Sequence, residues 1–174
     1  MPPIPAAGPL QLTLGIIKPS VCSSQAQVKE VLQLIKQSGL EIVRQKRMFW
    51  KTQDAEKFYS EHAGRFYFPR LVQHATSSPL LTLALYGPSS IQTWRQLIGP
   101  THVYKAQWTS IQDLQSENGL GLRAKYGISD TRNGFHGSDS EASARKELEQ
   151  VFEGWDIGWW LKHKEEEMGK TKSS

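Results

Sequence analysis

The chain has 174 residues, and its 21 Lys and Arg against 17 Asp and Glu leave a formal charge of +4. That length suits one domain with its own core, and an apolar share of 38% with 10% aromatics excludes wholesale disorder. The single cysteine, Cys22, excludes an internal disulfide and a cysteine-based metal cluster, and no apolar run reaches the roughly 18–20 residues of a membrane span.

Residues 1–10 hold Pro2, Pro3, Pro5 and Pro9 and read as a flexible, extended leader. The leader has no basic residue, which argues against a secretory or transit peptide and predicts a soluble, intracellular, cytoplasmic protein. Leu10 to Ile17 alternates and then turns wholly apolar, as a buried strand does, and stops at Lys18-Pro19. Ser24 and Gln27 have capping-box spacing before an apolar stripe at Val28, Val31, Leu32 and Ile35, with Gly39 just past the helix end. Leu40 to Trp50 is β-rich. Thr52 or Asp54 can cap a short helix through His62, an aromatic corner follows at Phe66 to Pro69, and another short helix fits Arg70 to Thr76. Leu80 to Tyr86 is the clearest strand, closed by Gly87-Pro88. Ser89 and Gln92 repeat the capping-box spacing for a helix carrying Ile91, Trp94, Leu97 and Ile98, ended by Gly99-Pro100. Residues 101–125 lack a clear period. A short strand is expected within Tyr126 to His136, then a helix capped through Ser138 and Glu141 with Ala144, Leu148, Val151 and Phe152 inside. From Lys162 the chain is charged and unpatterned, so 162–174 reads as a tail and 11–161 as the domain. Strands alternate with helices, and a parallel α/β sheet and a split βαβ sheet both fit that order.

The sharpest chemical segment is Asn133-Gly-Phe-His136-Gly-Ser138-Asp139-Ser140. It sets a histidine between a short strand and a helix start, where free N–H groups and the helix dipole favour negative charge. A neutral imidazole can attack phosphorus and hold the phosphoryl group, provided a partner fixes its tautomer. Glu147, eleven residues on along the following helix, is the candidate partner. The plainer reading is a loop histidine beside ordinary Ser and Asp caps.

These residues resemble the active-site signature of the nucleoside diphosphate kinases: Asn, two residues, then His-Gly-Ser-Asp-Ser. The resemblance extends in order from about residue 12 to 152. It takes in Ile16-Ile-Lys18-Pro19, Phe58-Tyr59, Tyr67-Phe68-Pro69, the Arg95, Gly99, Thr101 spacing and Leu122-Arg123, and the run 123–133 is similar to the divergent type-6 branch. It implies an α+β fold, a ferredoxin-like four-stranded antiparallel sheet with covering helices. It also implies a ping-pong transfer of the γ-phosphoryl from a nucleoside triphosphate to a nucleoside diphosphate through phospho-His136. Glu147 would orient the imidazole, Ser138 would bond to that pair, and Tyr59 would lie beside it. Lys18, Arg95, Thr101 and Arg123 would hold phosphate oxygens, Asn133 and Lys18 would reach the ribose, and Tyr67 would stack on the base. Mg2+ would ride on the nucleotide phosphates, with Asp139 at most a water-mediated contact.

Some positions depart from the family pattern. Tyr67 stands where Phe is usual, Asp130 where many members have an apolar residue by the base, and Trp108 to Asn118 looks like an insertion. The resemblance implies a homo-oligomer, but residues 70–77 and the C-terminus depart from the family's assembly segments, which leaves the hexamer open. The alternative reading is a nucleotide- or protein-binding module of the same fold with weak or no kinase activity. A pI near 9.2 raises nucleic acid as a partner, yet no interleaved basic and aromatic stripe supports it. Removing Lys18, Arg95 and Arg123 from the sum leaves 18 against 17, so a phosphate site accounts for most of the excess charge. Gly119-Leu-Gly121-Leu-Arg-Ala124 fits a loose dinucleotide pattern but lacks a preceding strand and a following helix. His62, His74, His102 and His163 lack metal-ligand spacing and read as structural or exposed.

Overall fold

In the computed structural model, residues 8–112 and 121–171 are described. Four strands, β1 (Leu10–Ile17), β2 (Glu41–Met48), β3 (Leu80–Pro88) and β4 (Phe135–Gly137), form one sheet in the order β2-β3-β1-β4 with every pairing antiparallel. The helices are α1 (Pro19–Cys22), α2 (Gln25–Gln37), α3 (Thr52–Phe58), α4 (Phe68–Ala75), α5 (Ser90–Ile98), α6 (Val103–Gln112), α7 (Leu122–Tyr126), α8 (Glu141–Val151) and α9 (Ile157–Thr171). This is the four-stranded antiparallel α+β sheet of the ferredoxin-like class, and the parallel alternative falls away.

Strand alternation divides the core between the two faces of the sheet. Leu12, Leu14, Ile16, Leu80, Ala84 and Tyr86 pack on one side with Tyr59, Leu71, Val72 and Leu148 from the helical layer. Ile17, Leu81, Leu83 and Leu85 face the other side, against Val31, Ile35, Trp94, Ile98 and Phe135. The central strand β3 is therefore apolar on both faces and reads as a continuous apolar run, while β1 alternates until Ile16-Ile17.

Local differences from the sequence reading have physical causes. Ser24 caps α2, accepting from the Gln27 N–H, as its spacing predicts. Ser89 does not cap α5: it sits at φ 46°, ψ 40°, and Ser90 instead donates its hydroxyl to the Gln11 carbonyl. Ser138 does not cap α8 either. Ser140 does, accepting from the Ser143 N–H, while the Ser138 hydroxyl is taken into the site described below. Asp54 lies inside α3 and accepts from the Lys51 N–H, so neither it nor Thr52 is the cap residue. Residues 103–112 and 122–126 are helical where no period was legible, because α6 buries only Val103 and Ala106 among its described side chains. A short helix thus does follow Gly121, although helix α6 rather than a strand lies upstream. The expected tail is helical as far as Thr171. Residues 1–7 of the leader, 113–118 of the expected insertion and 172–174 lie outside the described residues.

Candidate active site

The β1–β4 register places the histidine. His136 pairs with Ile16, and directly paired residues share a face, so its side chain lies on the α3, α4 and α8 side while Phe135 enters the opposite core. The backbone around it is held from below. Trp94, fully buried, donates Nε1–H to the His136 carbonyl at 2.9 Å. Gly137 leaves room for that indole, since a Cβ there would stand 2.7 Å from Trp94 Cδ1.

Glu147, on α8, brings its Oε2 within 3.0 Å of His136 Nε2, and the Ser138 hydroxyl donates to the same oxygen at 2.7 Å. Ser138 is fully buried and also accepts from the Leu14 N–H, which ties the pair to the central strand. An ionised carboxylate only accepts, so His136 Nε2 carries the proton and Nδ1 is the unprotonated nitrogen. The ring edge-on to the imidazole is that of Phe58, at 4.9 Å. Tyr59, read from the sequence as the neighbour of the histidine, packs edge-on to Phe58 and lies under the Lys18 ammonium, which is 5.9 Å from its ring centre. Burial and the Glu147 charge push its phenol well above the usual range, so it stays protonated.

Three cations converge on this histidine. Lys18 is 5% exposed and donates Nζ to Asn133 Oδ1 at 3.0 Å, while its backbone N–H reaches the Gly134 carbonyl. Burial, with Arg123 adding repulsion, lowers the Lys18 amine to about 7. Arg123 spans the Gly99 and Phe135 carbonyls, keeps its buried Nε without a partner, and is lowered to about 10 by burial and then by Arg95. Arg95 is exposed and reaches toward the Gly137 carbonyl. Mutual repulsion of buried cations is relieved by an anion, so this arrangement is built to receive one.

His136, Glu147, Tyr59, Lys18, Arg95 and Arg123 line a single cavity of about 1050 Å³, together with Tyr67, exposed Thr101 and Asp139, while Ser138 and Trp94 lie behind its wall. A volume of this size accommodates a nucleotide-sized ligand. Sequence reasoning passed over four contributors. His62 Nδ1 and the Tyr67 hydroxyl share a hydrogen bond of 3.1 Å, which occupies the extra polar group that Tyr brings in place of Phe. His102 Nδ1 pairs with Asp130 Oδ2 at 3.0 Å across the cavity wall. Buried His74 holds the Thr131 carbonyl through Nδ1, and Phe58 shields the imidazole. The adjacent aromatics at 58–59 and the five-residue step from His62 to Tyr67 are the signals that pointed to two of them.

A family model described as nucleoside diphosphate kinase matches residues 11–157. The chain belongs to the nucleoside diphosphate kinase family. Within that family it is a divergent, type-6-like member. It is 38% identical over 156 residues to nucleoside diphosphate kinase 6 of Danio rerio, covering 90% of this chain and 84% of that protein. It is 35% identical over 159 residues to nucleoside diphosphate kinase 6 of Homo sapiens, covering 91% and 81%. Among solved structures, the nucleoside diphosphate kinase of Aquifex aeolicus superposes with a TM-score of 0.75 at 29% identity, over 84% of this chain and 97% of that one. No helix among the described residues is long and apolar enough to cross a membrane.

Proposed function

We propose that this chain exchanges the γ-phosphoryl group between nucleoside tri- and diphosphates through His136. The observation that carries the reading is the His136–Glu147–Ser138 arrangement at the wall of a cavity that also presents Lys18, Arg95 and Arg123. In the first half-reaction His136 Nδ1 attacks the γ-phosphorus. The N–P bond forms, the bridging P–O bond breaks, and its electron pair leaves with the nucleoside diphosphate. Nε2–H keeps its bond to Glu147, which stabilises the positive charge that grows on the ring. In the second half a β-phosphate oxygen of the acceptor attacks the same phosphorus and frees His136. Phosphoryl transfer asks chiefly for positioning and charge neutralisation, which Lys18, Arg95, Arg123 and Thr101 supply. Tyr67 offers a ring face for the base, and Lys18 with Asn133 offers polar contacts for the sugar.

Mg2+ would be brought in on the nucleotide phosphates, with Asp139 on the cavity wall as a water-mediated contact. When bound it would neutralise phosphate charge. Bonding to Ser143 keeps the Asp139 carboxyl below its usual range and ready for that role.

The test is incubation with γ-labelled ATP and magnesium, then a chase with GDP or ADP. An acid-labile phosphohistidine that discharges to the chase and is absent in His136→Ala is the expected result. A second reading, a nucleotide-binding module with little turnover, draws on Asp130, a carboxylate on the wall of a cavity otherwise suited to an anion. Nucleotide binding without label transfer would favour it.

A further inference from the structure

The cavity has two chemically distinct ends. Around β4 it presents Lys18, Arg95 and Arg123 beside His136, and elsewhere its wall is aromatic, with Phe66 84% exposed and Tyr104 60% exposed. A phosphate chain belongs with the cations, which leaves the base for the aromatic end. That end also holds Asp130, and here an acceptor faces a ligand that carries its own donors and acceptors.

Asp130 is not a loose surface charge. His102 Nδ1 holds its Oδ2 at 3.0 Å, and the Asp130 backbone carbonyl accepts from Asn133 Nδ2, itself the partner of Lys18. Both members of the His102–Asp130 pair remain about half exposed, at 52% and 49%, so Oδ1 is open to a ligand. Because Nδ1 of His102 donates to Oδ2, the Oδ1 of Asp130 is left as an acceptor toward the cavity.

We propose that Asp130 is a specificity-determining residue that makes this site favour guanine nucleotides, an inference that rests on the nucleotide-exchange reading above. Guanine alone among the common bases presents two adjacent donors, N1–H and N2–H, which can converge on Oδ1 and on the lone pair of Oδ2 that His102 leaves free. Adenine and cytosine set a ring acceptor beside their amino group, which a carboxylate repels. Uracil and thymine offer one N–H between two carbonyls. A ring stacked on the base cannot make this distinction, since every base has a π face. The partial exposure limits the gain, so the expected preference is about tenfold rather than the thousands seen in fully closed polar sites.

The experiment measures binding of GDP, IDP and ADP to the full chain by titration calorimetry, and the same three as phosphoryl acceptors. GDP should bind about tenfold more tightly than ADP, with IDP, which lacks the N2 amino group, in between. Asp130→Ala should bring GDP and ADP within about twofold, by weakening GDP and by relieving the repulsion that ADP meets. Equal binding of GDP and ADP by the unaltered chain, or a preference that survives in Asp130→Ala, overturns the inference. Phosphoryl exchange without base preference overturns it while leaving the kinase reading intact. GDP-selective binding without exchange does the reverse, and no nucleotide binding at all overturns both.

Discussion

Ser138 and His136, two residues apart, bond to the same oxygen of Glu147, Oε2. One supplies a neutral hydroxyl and the other the Nε2–H of the imidazole, so the carboxylate is fixed before any ligand arrives. Glu147→Gln places an amide where only an acceptor fits both donors. We expect phosphohistidine formation to fall at least a hundredfold, with nucleotide binding changed by less than about threefold, as for removal of an orienting carboxylate elsewhere. Rapid-quench labelling and equilibrium binding separate the two.

Ser138→Ala removes a second bond as well, the acceptor for the buried Leu14 N–H. A cost of about 1–3 kcal/mol in unfolding free energy is expected, since a buried donor is stranded. Denaturant titration measures it, and a loss below about 0.5 kcal/mol would mean that the strand N–H finds another partner.

Lys18 is lowered to about 7 in the folded chain against 10.5 ordinarily. Between those values the unfolded chain holds a proton that the folded chain lacks, so this group makes stability rise with pH across that window. Below about 7 the buried amine is charged in both states and its desolvation weighs fully on the fold. Lys18→Met should therefore raise the melting temperature at pH 6 more than at pH 10, while weakening nucleotide binding. In the unaltered chain nucleotide binding at pH 8 should take up a proton at Lys18. Calorimetry in buffers of different ionisation enthalpy detects that uptake, and Lys18→Met should reduce it.

His74 is lowered to about 4 by burial first and by Lys18 next, with Arg132 adding a smaller repulsion. Its ordinary value is 6.5, so between about 4 and 6.5 the unfolded chain binds a proton that the folded chain refuses. Stability falls as pH falls through that window, by up to about 3 kcal/mol. Asn in its place can offer a donor near the Nδ1 position without titrating. His74→Asn should flatten the acid limb of the stability profile, measured by urea unfolding at pH 4.5 and 7.

Gly137→Ala brings a Cβ within 2.7 Å of Trp94 Cδ1 and 2.9 Å of Nε1. The indole is fully buried and bonded to the His136 carbonyl, so β4 must yield instead. A melting temperature lower by about 5 °C and a slowed labelling of His136 are expected.

The two central strands and the nucleophile were legible in the sequence, but the pairing of the sheet was not. Leu80–Tyr86 is apolar at nearly every position, Leu10–Ile17 alternates before Ile16-Ile17, and the segment around His136 is short, polar and distinctive. The caps were less legible. Ser24 and Gln27 form their bond, but Ser89 has the same spacing and does not, because its backbone takes a left-handed turn. Ser138 also has the right residue type, yet Glu147 outcompetes the helix for its hydroxyl. Spacing states what a side chain can reach locally and not what tertiary packing offers it. His102 and Asp130 are 28 residues apart and show no pattern in the sequence, and only the loop geometry brings them together.

The three-residue strand β4 pairs with β1 alone, and the Leu14–Ser138 bond beside it closes a separation of 124 residues. That pairing cannot form before residues 135–138 have been made. A chain still emerging from synthesis already holds Lys18, Arg95 and Arg123, but it has no correctly aimed imidazole until residues 135–147 arrive. The aim of the imidazole is therefore set by the last-made part of the site. A chain ending short of Glu147 would hold the three basic side chains without the carboxylate that fixes the imidazole.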